Sequence, residues 1–138
     1  RVWVIGDAFR FGMTLEQVHQ YTRIDPWFLV QIQQLIEIEE RCQSVSMTDL
    51  DRDDWWHLKR KGFSDIRLSQ LFSQSESDVR KQRLSLGVKP VYKRVDTCAA
   101  EFSTDTAYLY STYEDQNEAA PTQRDKIMIL GGGPNRIF

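Results

Sequence analysis

The 138 residues carry 18 Lys and Arg against 20 Asp and Glu, a formal net charge of −2, and 41% of them are apolar. That is about one domain, long enough to bury a core, and too balanced in charge and apolar content for a disordered polyelectrolyte or a membrane protein. No apolar run approaches the roughly 18 residues of a spanning helix, and two cysteines, Cys42 and Cys98, are too few for a disulfide scaffold or a structural zinc site, so a reducing, cytoplasmic setting is expected.

The opening Arg1-Val2-Trp3-Val4-Ile5-Gly6-Asp7 lacks a cleavage-site pattern and an initiator Met, and reads as a piece of a longer chain. Residues 1–21 predict two short helices broken at Gly12, the second capped by Thr14 with Gln17 at its third position. Asp25-Pro26 is the clearest helix start, because the carboxylate accepts from free N–H groups while proline has none to lose. The helix should run to Arg41 or Cys42. Phe28, Ile32, Leu35, Ile36 and Cys42 form one apolar stripe, and Trp27, Val30 and Ile38 a second edge fit for burial or for another protein.

Ser44 to Thr48 reads as a linker, then Asp51 to Arg60 as a helix with acids first and Lys59, Arg60 and Lys61 last, as the helix dipole favours. Gly62 stops it. Ser64 caps a short helix carrying Ile66, Leu68, Leu71 and Phe72, and Ser75-Glu76-Ser77-Asp78 opens another that ends before Gly87. After Pro90 the pattern changes. Val91–Val95 and Tyr108–Tyr113 alternate as strands do, Asp96–Thr106 is a loop between them, and 114–125 has linker composition. Lys126-Ile127-Met128-Ile129-Leu130 before Gly131-Gly132-Gly133 predicts a buried parallel strand entering a glycine turn. The fold expected is mainly α, an irregular helical bundle with short extended segments after residue 90 and one truncated strand at the C-terminus.

Charge alternates in blocks. Residues 37–54 hold seven acids and two bases, 59–94 ten bases and three acids, and 95–125 seven acids and one base. Such blocks pair with one another or with a partner, and the alternative is a helical nucleic-acid binding module using 59–94. Phe63 to Gly87, with Arg80-Lys81-Gln82-Arg83 on its second helix, has the outline of a helix-turn-helix reader.

Candidate chemistry is sparse. Gly131-x-Gly133-x-x-Arg136 puts Arg where a dinucleotide fingerprint needs glycine, and no Lys-Ser/Thr follows for a phosphate loop. His19 and His57 lie in no metal-ligand spacing with Cys42 or Cys98, and Cys98 between Thr97 and Ala99-Ala100 reads as close packing. Of the adjacent Trp55 and Trp56, about 100° apart on a helix, one is core and the other is free for an interface.

The string Val91-Tyr92-Lys93-Arg94-Val95-Asp96-Thr97-Cys98-Ala99-Ala100-Glu101-Phe102 is similar to the carbamoyl-phosphate synthase large chain. So are Thr104–Tyr108, Tyr110–Glu114 and Lys126–Ile137, and upstream Asp7–Arg10, Trp27–Ile32 and Leu58–Phe63, in the same order. One departure is Phe138, where the family turn continues Gly-Gln. The resemblance implies two ATP-grasp halves joined by an all-helical oligomerisation domain. Residues 1–120 would be that connector without its N-terminal part, and 121–138 a linker with the first strand and Gly-rich turn of the half that phosphorylates carbamate. It implies a glutamine-dependent enzyme making carbamoyl phosphate from bicarbonate, ammonia and two ATP, for arginine and pyrimidine biosynthesis. ATP and Mg²⁺ (or Mn²⁺) would serve the parent chain and a small glutaminase subunit would partner it, along with large-chain self-association. For this stretch it implies no catalytic, cofactor-binding or metal residue, no nucleic acid and no membrane. The segment Val91–Phe102 is expected to pack against the synthetase halves.

Overall fold

The computed structural model of the chain describes residues 1–103 and 106–131. Two compact units divide it, one spanning 1–90 and one beginning at residue 91.

The first unit is six helices, α1 (Val2–Arg10), α2 (Leu15–Thr22), α3 (Pro26–Ser44), α4 (Arg52–Arg60), α5 (Asp65–Leu71) and α6 (Glu76–Ser85). Their starts are where short polar side chains stand before apolar patterns. Thr14 accepts from the Gln17 N–H while the Gln17 side chain accepts from the Thr14 N–H, a reciprocal capping box. Asp25 accepts from Trp27 N–H at 2.8 Å with Pro26 in the first turn, and Asp51, Ser64 and Ser75 cap α4, α5 and α6 in the same way. Three helices end at glycines in the left-handed region, Gly12 (φ 82°), Gly62 (φ 93°) and Gly87 (φ 73°). There the next N–H reaches back over the last turn, Phe63 to the Leu58 carbonyl and Val88 to that of Arg83.

Packing divides the helices into two sets. Ile5 and Phe9 of α1, Val18 of α2 and Leu29 and Ile36 of α3 form one buried cluster. Trp55 and Leu58 of α4, Leu68 and Leu71 of α5, Val79 of α6, and Phe63, Phe72 and Val88 beside them are buried as well, with the Trp55 and Phe72 rings 5.9 Å apart. α5 lies on α6, and α3, the longest helix, reaches α5. Each fully buried Leu, Val or Phe contributes roughly 1.5–3 kcal/mol, so these two clusters hold the unit together.

Two expected details differ. Phe28, placed on the core stripe of α3, is 57% exposed, while Leu29, one step round the helix, is fully buried, because α1 and α2 pack on the face carrying Leu29 and Ile36. Ile66 on α5 is also exposed.

The second unit holds β1 (Val91–Arg94) and β2 (Leu109–Thr112), paired antiparallel with Val91 opposite Thr112 and Arg94 opposite Leu109. Six helices against one two-stranded ladder make the chain mainly α, as expected. The truncated strand is a correction: Lys126–Leu130 is not a strand, and Ile127 to Leu130 are 84–93% exposed. A strand persists only with a backbone partner, and none pairs with this segment among the described residues. Gly132, Gly133, Arg136 and Phe138 lie outside the described residues.

Candidate functional site

No histidine or cysteine here is arranged for chemistry. His19 is half-buried with Nδ1 2.7 Å from the Ile24 carbonyl, tying the end of α2 to the approach to α3, and His57 is exposed. Cys42 is buried and unbridged, and burial pushes its thiol above the usual range, away from the thiolate that a nucleophile needs. Cys98 sits in the loop after β1, where its N–H donates to Asp96. Among the described residues no three His, Cys, Asp or Glu side chains are grouped to hold a metal ion.

The basic block is largely engaged within the fold. Lys59, Arg80 and Arg83 converge on Asp65, Arg67 pairs with Glu39, Lys81 with Asp78 and Lys93 with Glu118, while the Arg94 guanidinium donates to the Thr106 carbonyl. The nucleic-acid alternative is therefore corrected: its helix pair exists as α5 and α6, but Arg83 turns inward to Asp65, and the half-exposed Arg80 is held by Asp65 and Glu76. A groove reader needs those side chains free for phosphates and base edges.

The Asp65 cluster is buried. Lys59 Nζ donates to Oδ1 at 2.9 Å and to the Phe63 carbonyl at 2.6 Å, and Arg83 donates to both carboxylate oxygens and to the Val88 carbonyl. Burial would push the Asp65 carboxyl up, but hydrogen bonds from Arg83 and Lys59 outweigh it and hold the group well below the usual carboxylate range. A second centre stands at Glu39 of α3. Its Oε2 takes two donors from Arg10 of α1, at 2.6 and 3.2 Å, and its Oε1 takes two from Arg67 of α5, at 2.7 and 3.0 Å. Neither centre was legible in the sequence, since the partners lie up to 29 residues apart and spacing says nothing of such pairs.

What the helical unit does present is apolar surface. Trp27 is 64% exposed and meets Phe28 edge to face, with ring centroids 4.9 Å apart. Of the predicted second edge only Trp27 is fully on the surface. Val30 is half-buried, and Ile38 lines a small cavity of about 60 Å³ with Cys42, Leu50 and Leu58. On α1, Val2, Trp3 and Val4 are exposed, and Trp3 borders a groove of about 400 Å³ walled by Ile32, Leu35, Phe63 and Arg67. Trp55 is the core member of its pair, and Trp56 is half-buried beneath the Arg52 guanidinium, 5.3 Å above the ring.

The helical unit thus combines buried ion centres with exposed aromatic edges, and comparison with known proteins gives its family. Residues 1–87 match the family described as "Carbamoyl-phosphate synthetase large chain, oligomerisation domain". Over 137 residues, 99% of this chain, it is 60% identical to the carbamoyl phosphate synthase large chains of Pseudomonas syringae pv. tomato and of Haemophilus ducreyi, and 55% identical to that of Vibrio cholerae. The chain spans about 13% of the length of each. With its helical unit matched from end to end and more than half of its residues identical to those relatives, the chain belongs to the carbamoyl-phosphate synthetase large chain family.

Proposed function

We propose that the chain is the helical connector of a carbamoyl-phosphate synthase large chain, a spacer that also joins copies of that chain. The connector runs to about residue 120, and 121–138 begin the ATP-grasp half that phosphorylates carbamate. The observation that carries the reading is the exposed Trp27–Phe28 pair at the start of a helix whose other face is core. A large apolar edge left in water on a well-packed helix is stabilised by a second apolar surface, and self-association supplies one.

The parent enzyme would form carbamoyl phosphate from bicarbonate, glutamine-derived ammonia and two ATP, with a small glutaminase subunit as partner, in the cytoplasm, for arginine and pyrimidine biosynthesis. ATP and Mg²⁺ (or Mn²⁺) would supply and polarise the transferred phosphoryl groups. In that enzyme this stretch would contribute assembly and spacing. No described helix is long and apolar enough to cross a membrane.

Light scattering behind size exclusion, over a wide concentration range at low and high salt, tests the reading. The expected result is a dimer or higher species that persists in high salt and becomes monomeric in Trp27→Asp. A monomer at every concentration, or an oligomer indifferent to Trp27→Asp, overturns the Trp27 edge as the assembly surface. Turnover of ATP by the purified chain above a blank overturns the assignment of a purely structural role.

A further inference from the structure

The apolar cluster of Ile5, Phe9, Val18, Leu29 and Ile36 belongs to α1, α2 and α3 alone. Trp55, Leu68, Leu71, Phe72 and Val79, on α4, α5 and α6 and the turn after α5, are buried as well. The two halves meet where Ile38 and Cys42 of α3 line a small cavity with Leu50 and Leu58, and where α3 packs on α5.

The first turn of α5 is where the two ionic centres meet. Asp65, its first residue, is fixed by Lys59 of α4 and by Arg80 and Arg83 of α6. Arg67, two residues on, leaves on another side of the helix and gives two N–H donors to a single oxygen of Glu39, whose other oxygen holds Arg10 of α1. The Glu39 side chain is only 13% exposed, so these charge-assisted bonds form in a partly dehydrated setting where they are stronger than at an open surface. The further ties from α3 are weaker, Arg41 to Asp54 at an exposed site and Lys61 to Gln34 at 3.4 Å.

We propose that the first turn of α5 is a conformational coupling element, in which the Arg67–Glu39 clamp makes the α1–α3 and α4–α6 halves open and close as one body. Asp65 anchors that turn to its own half, and Arg67 carries the anchor across to α3. A spacer that must hold what it joins at a fixed separation needs its parts to move together, and the clamp supplies that rigidity. The device is independent of self-association through Trp27, since none of its residues lies on that edge.

Native-state amide exchange on the 138-residue chain at rising denaturant separates coupling from simple stability. In the unaltered chain the slowest amides of α3 and of α5 and α6 should share one opening event. In Arg67→Met, which leaves Arg10 on Glu39, amides of α4–α6 should exchange roughly tenfold faster or more, while those around Leu29 and Ile36 change less than about threefold. Arg10→Met, which leaves the clamp intact, should produce no such split. Equal acceleration in both halves of Arg67→Met, no acceleration in either, or a split already present in the unaltered chain overturns the proposal. Should Arg67→Met fail to fold, Arg67→Gln provides the same test, because it removes the charge, keeps a polar side chain and leaves Arg10 on Glu39.

Discussion

The helical unit and the segment from residue 91 hold the same kinds of residue and use them in opposite ways. Residues 1–90 bury fifteen apolar side chains, Trp55, Leu29, Leu68, Val79 and Val88 completely. Among the described residues from 91 onward none is buried, and Phe102, Tyr108, Tyr110 and Ile127 to Leu130 face solvent. The difference lies in where partners come from. A helix satisfies its own backbone and needs only a neighbour for one stripe, whereas a strand needs its neighbour for the backbone too. The second unit meets that need once, between β1 and β2.

The sharpest way to break the comparison is to remove one aromatic from each region. Trp55→Ala should cost about 3–5 kcal/mol in urea unfolding, since it empties a fully buried site next to Phe72. Tyr110→Ala in β2, a half-exposed ring, should leave the urea midpoint of the helical unit unchanged. Equal losses from the two would mean that the regions share one core. Trp55 Nε1 is buried without an acceptor among the described residues, so Trp55→Phe should cost well under half as much as Trp55→Ala.

The Asp65 centre comes next. Asp65→Ala removes the carboxylate that the buried Lys59 and Arg83 share as counter-charge, an expected loss of about 3–4 kcal/mol. Its pH dependence has a definite sign. The carboxyl sits below its unfolded value in the native state, so the stability it contributes is full above about pH 4–5 and falls as the pH drops through and below the unfolded carboxylate value near 4. Acid denaturation of the unaltered chain should start in that range, and in Asp65→Asn the slope of stability against pH should flatten. An unchanged slope would assign the acid sensitivity to other carboxylates, Glu39 first, whose pKa is also lowered because hydrogen bonds from Arg10 and Arg67 outweigh its burial.

These two centres were not legible in the sequence, whereas features made within a few residues were. Four of the five side-chain caps were readable, Thr14, Asp25, Ser64 and Ser75, because a cap is made within two or three residues of its own position, while Asp51, expected inside its helix, is the cap of α4. The glycine stops at Gly62 and Gly87 follow from the same locality. Which face of α3 becomes core depends on where α1 and α2 arrive, and that choice between Phe28 and Leu29 was not in the spacing. Nor was the inward turn of Lys59, Arg67 and Arg83, which made a structural charge network resemble a basic patch. The run 126–130 departs from the expected strand for a related reason: its apolar composition signals a strand, but composition cannot supply the neighbour that a strand requires. Of the candidate interaction surface, Trp27 was visible as an apolar residue off the core stripe, while the groove beside Trp3 arises from the packing of α1 across α3 and had no signature.

The smallest effect is expected at the free edge of β1. Tyr92 N–H donates to the Asn117 side chain, Glu118 N–H to the Tyr92 carbonyl, and Arg94 N–H to the Glu118 carboxylate at 2.7 Å, so residues 117–118 cover the edge that a third strand would otherwise fill. Lys93 pairs with the same carboxylate, and the hydrogen bonds from Lys93 and Arg94 lower the pKa of Glu118. Glu118→Ala should speed exchange of the Arg94 amide by severalfold and leave the amides of α3 and α6 untouched, because the pair is at the surface and the hairpin belongs to a separate compact unit. Glu118→Gln keeps an acceptor for the Arg94 N–H and should fall between the two. If Glu118→Gln exchanges as fast as Glu118→Ala, the Lys93 charge rather than the backbone hydrogen bond protects the strand edge, and about 0.5 M salt should then accelerate exchange in the unaltered chain as well.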